Sequence, residues 1–283
     1  IVQVTFSEDS EDHPEVSGQR IAYETGFSSD NITVFEIGGG YRNISVEGYN
    51  HDSDIDGDNL VWIGLNNSNE TIYLFNLDSS RLQEVYSGDS LDNLFISGDY
   101  VVWTSSKTTG ILSMEYTVYM YTISTNQTEV LFTIDSLPYN FLFSDGYIFY
   151  TEMSSSASLT DFYDEHLYKI GTGEVSLNIE GDALHASISG NKMAYLSYNY
   201  PYNIVYLMDI TTGTCSELFR FDHEIGDIHL DGNRLVWVDY RNDPDPDDFL
   251  DENGDIWFYD IENNIMAPIT TESSDQIQPH IDG

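Results

Sequence analysis

Basic residues are scarce in this chain: 9 Lys and Arg stand against 49 Asp and Glu in 283 residues, a formal net charge of -40. A surface of that sign repels phosphates and anionic lipid headgroups, which argues against polyanion binding; it also favours solubility and gathers cations. Cysteine is nearly absent. Cys215 is the only one, so no intramolecular disulfide can form, and without a redox motif beside it in the strand-like stretch 214–219 it reads as a structural thiol. Long apolar runs are missing as well: none approaches the ~20 residues that cross a bilayer as a helix, and no cationic segment followed by an apolar one opens the chain. Helical stretches rich in Ala, Leu, Glu and Lys are lacking too. The first residue is Ile1 instead of Met, which implies a processed product or part of a larger protein.

What the chain does have is aromatic and β-branched residues spread along its whole length, with 21 Tyr and 14 Phe, a composition that favours strands. A short phrase, an apolar residue, a small or acidic one, then Gly, recurs at Val16-Ser17-Gly18, Ile55-Asp56-Gly57, Ile96-Ser97-Gly98, Ser144-Asp145-Gly146, Ile188-Ser189-Gly190, Leu230-Asp231-Gly232 and Ile281-Asp282-Gly283. Each of the first six is followed by a strand that ends in an aromatic, Tyr23, Trp62, Trp103, Tyr150, Tyr195 or Trp237. A Gly step between two apolar runs signals a tight hairpin, because Gly accepts the positive φ that the turn needs. A polar loop, a third strand such as Thr71-Ile-Tyr-Leu-Phe75 or Asp255-Ile-Trp-Phe-Tyr259, and a shorter fourth strand complete each unit.

Four short antiparallel strands every forty-odd residues are the signature of a propeller blade, and blades with two apolar faces must pack on one another. The expected fold is therefore an all-β β-propeller of four-stranded antiparallel blades. Residues 1–283 would form one domain with six complete repeats anchored at 18, 57, 98, 146, 190 and 232. The stretch from Val4 to Gly18 matches that from Ile269 to Gly283 in layout. The chain thus carries a partial repeat at each end, and a six-bladed and a seven-bladed ring both remain open.

The last repeat, His229-Leu-Asp-Gly-Asn-Arg-Leu-Val-Trp-Val-Asp-Tyr-Arg-Asn242, then Gly254-Asp-Ile-Trp-Phe-Tyr-Asp-Ile261 and Gln278-Pro-His-Ile-Asp-Gly283, resembles the TolB-like propellers. It resembles more closely the propeller repeats of archaeal and bacterial cell-surface proteins. The resemblance covers nearly the whole chain and implies the fold; propellers of this kind host binding, scaffolding and hydrolytic roles alike. Repeats three and four depart most, with long inserts at 105–115 and 153–164.

Candidate site residues fall into three groups. Polar residues alternate along the innermost strands, including His13, Glu15, Asp54, His185, Asp227, His229 and His280; period-two alternation would put them on one face. If that face borders a central channel, His13, His185, His229 and His280 with Asp54 have the imidazole and carboxylate chemistry of a transition-metal site, or they are hydrogen-bonded polar residues at the channel mouth. Phe95, Phe141 and Phe143 occupy the equivalent places in repeats three and four, which breaks any symmetric ring of ligands. Two acidic runs suit calcium, a hard cation that takes oxygen ligands: Asp52, Asp54, Asp56 and Asp58 in a D-x-D-x-D-G opening without a Glu at the twelfth place, and Asp243, Asp245, Asp247, Asp248, Asp251 and Asp255 in one insert. Five N-x-[ST] sequons, at Asn31, Asn43, Asn66, Asn69 and Asn126, agree with an exported glycoprotein.

No G-x-S-x-G elbow and no sialidase-type S-x-D-x-G-x-T-W box occurs. The expected function is a non-catalytic extracellular propeller of a cell-surface layer, sheath or adhesin-like protein, binding other protein subunits or surface proteins and glycans, with calcium in its acidic loops. Two alternatives stand beside it: a carbohydrate-active enzyme using Glu15, Asp54 and Asp227 as acid and base groups, and a TolB-like periplasmic interaction module.

Overall fold

A computed structural model describes residues 11–26, 31–66, 69–110, 113–154, 163–242, 253–271 and 275–282. Six four-stranded antiparallel sheets form, each a simple meander in sequence order. Blade one is β1 (Glu11–Ser17), β2 (Arg20–Thr25), β3 (Asn31–Glu36) and β4 (Gly40–Asn43); blade two is β5 (Tyr49–Asp56), β6 (Asn59–Asn66), β7 (Asn69–Asn76) and β8 (Arg81–Gly88). Blade three is β9 (Leu91–Ser97), β10 (Tyr100–Thr108), β11 (Met114–Thr122) and β12 (Gln127–Ile134); blade four is β13 (Tyr139–Ser144), β14 (Tyr147–Met153), β15 (Tyr163–Lys169) and β16 (Gly173–Val175). Blade five is β17 (Leu184–Ser189), β18 (Lys192–Asn199), β19 (Tyr202–Asp209) and β20 (Thr214–Phe221); blade six is β21 (Ile225–Asp231), β22 (Arg234–Asp239), β23 (Asp255–Asp260) and β24 (Ile265–Pro268). No helix occurs among the described residues. The fold is a six-bladed β-propeller, with blades one to three in one compact unit (residues 1–138) and blades four to six in another (139–283).

The recurring aromatic is what each blade is built on. Tyr23, Trp62, Trp103, Tyr150, Tyr195 and Trp237 are all buried on the second strands, and most stack on the residue opposite in the third: Trp62 on Tyr73, Trp103 on Tyr119, Tyr150 on His166, Tyr195 on Tyr206, at ring separations of 4.8 to 5.5 Å. Such pairs add to the area they bury. Within each unit the cores lie between successive blades. Ala22, Ile32 and Val34 of blade one meet Ile55, Leu60 and Trp62 of blade two, and Ala194, Leu196 and Val205 of blade five meet Leu230, Leu235 and Trp237 of blade six. Cys215 is half-buried with its Sγ 3.1 Å from the Tyr195 hydroxyl.

One repeat is framed differently from its expectation. In blades one, two, three, five and six the hairpin from first to second strand has Gly as its first turn residue, as between Asp56 and Asn59, where Gly57 has φ +57°, the arrangement of a type II′ turn. In blade four the paired residues are Ser144 and Tyr147, so the turn is Asp145 then Gly146, both with positive φ, the type I′ pattern. Gly146 is therefore one place later than its counterparts. Phe141 and Phe143 fall on the buried side instead of the polar positions, with Leu142 between them. The final phrase also has its own place: residues 275–282 belong to none of the six sheets.

Candidate functional site

The innermost strand of each blade is an edge strand, and its outward amides need acceptors. Within each unit, polar residues of one blade supply them to the next. Ser17 Oγ accepts from Gly57 N at 2.9 Å. Asp54 Oδ2 accepts from Ile96 N at 2.7 Å and Asp56 Oδ2 from Gly98 N at 2.6 Å. In the other unit, Asp145 Oδ2 accepts from Gly190 N at 2.5 Å, and Ser187 Oγ and Ser189 Oγ accept from Leu230 N and Gly232 N at 3.0 and 2.9 Å. The register is the same wherever both positions are polar: the residue that ends an inner strand holds the turn amide of the next, and the residue two places earlier holds the amide of the apolar residue before that turn. Acids on second and third strands add a further set, Glu24 holding Ser53 N, Glu70 holding Leu91 N and Glu165 holding Ala183 N.

Simple alternation ends four residues before the last residue of each inner strand. There every inner strand has a β-bulge against its partner, built on a residue in the left-handed region: His13, Asp52, Asn93, Asn140, His185 and Asp227, with φ between +43° and +52°. A bulge inserts one residue and re-aims its side chain, and Asn, Asp and His tolerate this conformation better than most. His13 and His185 are thus not in line with the polar positions that follow them. His13 Nδ1 lies 3.6 Å from Glu24 Oε2, and His185 Nδ1 lies 3.6 Å from Asp227 Oδ1, one bulge facing the next.

The other two candidate histidines come together. His229 and His280 have ring centroids 4.7 Å apart, and His229 Nδ1 accepts from Ile281 N at 3.1 Å. Burial, with the neighbouring His280 imidazole second, pushes the His229 pKa down to about 4, so the ring is neutral and free to accept at physiological pH. His51, beside Asp52, goes the other way: burial acts to lower its pKa, but the hydrogen bond and charge of Asp52 at 3.3 Å outweigh it.

The acidic run at 52–58 does not close around a common point. Asp52 faces His51; Asp54 holds Ile55 N and Ile96 N with its two oxygens; Asp56 holds Gly98 N; Asp58 takes Arg20 Nη1 at 2.6 Å. Among the described residues no three or more His, Cys, Asp and Glu assemble as a metal-binding group. Asp243, Asp245, Asp247, Asp248 and Asp251 lie outside the described residues. Asp255, at the end of that insert, is 1% exposed; its Oδ2 accepts from Asn242 Nδ2 at 2.8 Å, while its Oδ1 and the nearby Asn253 Oδ1 are buried with no hydrogen-bond partner among the described residues. Of the sequons, Asn31 and Asn43 are joined by an amide hydrogen bond of 3.0 Å, Asn126 accepts from the Tyr121 hydroxyl at 2.8 Å, Asn69 begins β7, and the side chain of Asn66 lies outside the described ones.

One cluster escaped the sequence reading. Asp239, fully buried at the end of β22, accepts from both Arg241 Nε and Nη2, at 2.8 and 2.7 Å, and from Trp237 Nε1 at 3.1 Å, with His223 Nε2 3.1 Å away. Burial alone would raise the Asp239 pKa; Arg241, His223 and Trp237 together hold it well below the usual carboxylate range. In turn Asp239, by hydrogen bond and charge, raises His223 against its partial burial. Arg241 lies 3.7 Å above the Trp257 ring. The signal available in the sequence was an acid and an arginine two apart, directly after the buried Trp237-Val238 pair.

No protein-family model matches this sequence, and no curated protein matches it significantly. Solved structures do match in fold. The β-propeller domain of the trilobed protease from Pyrococcus furiosus, described as having an open velcro topology, superimposes with a TM-score of 0.69 at 11% identity, over 93% of this chain and 86% of that one. TolB from Acinetobacter baumannii gives 0.57 at 13% identity, over 93% and 66%, and oligogalacturonate lyase from Vibrio parahaemolyticus 0.66 at 12%, over 89% and 74%. At these identities the likeness establishes the propeller, TolB-like propellers among its neighbours, and nothing about chemistry.

Proposed function

We propose that this chain is a non-catalytic extracellular propeller of a cell-surface layer, sheath or adhesin-like protein, a protein-interaction module whose acidic insert between β22 and β23 binds calcium. The observation that carries the reading is the use made of the inner-strand acids. Both oxygens of Asp54 are engaged by backbone amides, and Asp227 lies against His185 and Gln278 N. A general acid or base must reach the proton it moves, and carboxylates that hold the backbone of a neighbouring blade serve the fold first.

Calcium has support in Asp255. A buried carboxylate oxygen without a donor is costly, and Asp255 Oδ1 and Asn253 Oδ1, two residues apart beside the insert, are oxygen ligands of the kind a hard cation takes. The interaction role agrees with the net charge of -40, which gives long-range attraction to basic partners. Thermal unfolding with calcium and with magnesium tests the cation: a higher midpoint with calcium alone is expected, lost in Asp255→Ala, and equal midpoints would overturn calcium binding. Localisation is tested separately, since recovery of the native protein from the cytoplasm would contradict the surface role.

A further inference from the structure

Residues 275–282 lie against blade six through backbone contacts. Gln276 N donates to Gly254 O at 2.9 Å, and Gly254 N donates to Asp275 Oδ1 at 2.9 Å. Further on, Gln278 N reaches Asp227 Oδ2 at 3.4 Å and Ile281 N donates to His229 Nδ1 at 3.1 Å. This last bond stands where Ile96 N meets Asp54 and Leu230 N meets Ser187, but its acceptor differs in kind. A hydroxyl keeps its lone pairs at any pH, and a protonated carboxyl keeps part of its acceptor capacity. The Nδ1 of a neutral imidazole has one lone pair, and that is the one a proton takes. A single proton therefore turns the acceptor into a donor aimed at another donor. His229 belongs to no metal-binding group among the described residues.

We propose that His229 is a proton-operated latch: protonation of its Nδ1 releases residues 278–282 from β21 while the four strands of blade six stay paired. The proton comes from solvent and takes the Nδ1 lone pair, leaving an imidazolium whose Nδ1–H faces Ile281 N–H. The His280 ring, 4.7 Å away between centroids, adds repulsion once it too is charged. On the segment, the titratable groups facing His229 are His280 and Asp282. Asp227 and Asp231 lie two places away along β21, where His185 and Ser189 of β17 meet them, and the residue opposite His229 on β22 is Val236. Blade six itself is held by groups that do not titrate in this range: Ser187 and Ser189 hold Leu230 N and Gly232 N, and β21 is paired with β22. A ring that titrates near 6.5 when undocked and near 4 when docked makes docking strongest above 6.5 and steadily weaker as pH falls toward 4. Docking should thus weaken about tenfold between pH 6.5 and 5 and about a hundredfold by pH 3.5. Release uncovers the side of β21 that carries Asp227 and His229, so acidity changes the surface that blade six presents.

Hydrogen exchange of the full chain, corrected for the intrinsic rate at each pH, reads the latch. Protection of the amides in 278–282 is expected to fall about tenfold from pH 6.5 to 5, while Leu230 and Gly232 keep theirs. The nitrogen NMR shift of His229 Nδ1 should report protonation over the range in which protection is lost. His229→Gln supplies an acceptor that takes no proton here and should hold the segment equally well at both pH values. Asp227→Asn removes the carboxylate that meets Gln278 N and should leave the acid loss in place. Equal wild-type protection of 278–282 at both pH values, a loss shared by Leu230 and Gly232, or the same loss in His229→Gln would each overturn the proposal. Should His229→Gln leave the segment unprotected already at pH 6.5, the wild-type titration decides: a His229 ring that protonates without loss of protection contradicts the latch.

Discussion

The joint between blades two and three and the joint between blades five and six perform one task with different chemistry. In the first, Asp54 and Asp56 hold Ile96 N and Gly98 N; in the second, Ser187 and Ser189 hold Leu230 N and Gly232 N in the same register. A carboxylate makes the stronger, charge-assisted bond, at 2.6 to 2.7 Å against 2.9 to 3.0 Å for the hydroxyls. What the two joints teach is that the position demands an acceptor, and that acid, alcohol and, at His229, neutral imidazole all satisfy it. Part of the acidity of the chain thus belongs to its architecture.

The imidazole version gives the largest expected effect. A His whose folded pKa is depressed contributes stability that is fully present above its unfolded value near 6.5 and is lost as pH falls toward the folded value near 4. Unfolding free energy of the wild type should therefore drop by about 3 kcal/mol between those limits from this group. The drop should be smaller in His229→Gln, and urea unfolding at a series of pH values reads the difference. An equal acid response in the two proteins would separate His229 from the joint chemistry. Next in size, Asp54→Ala leaves the buried Ile96 amide without its charged acceptor and should cost about 2–3 kcal/mol, measured as a shift of the urea midpoint at constant slope. Smallest, Ser187→Ala removes a neutral bond to Leu230 N and should cost about 1 kcal/mol in the same measurement. If the two alanine variants cost the same, charge assistance contributes nothing to the first joint.

Much of the fold was legible because its determinants are local. Turn glycines recur beside apolar triplets ending in Tyr or Trp, and each of those aromatics is buried. The polar positions were legible too, but their partners were not, since Asp54 and Ile96 are forty-two residues apart and only the packing of successive blades brings them together. Alternation failed at His13 and His185 because a bulge with a left-handed residue intervenes, and a bulge leaves no mark on the hydrophobic period. Blade four was framed one residue late because Asp145-Gly146 makes a different turn from Gly57-Asp58 with nearly the same letters. Asp239 was missed since nothing local shows that His223 and Arg241 converge on it.

Amide hydrogen exchange at Ile96 and Leu230 tests the central claim, that the inner-strand polar residues clamp blade two to blade three and blade five to blade six. Exchange at Ile96 should speed up in Asp54→Ala while Leu230 stays protected, and Ser187→Ala should show the reverse. Unchanged protection at both amides in both variants would contradict it.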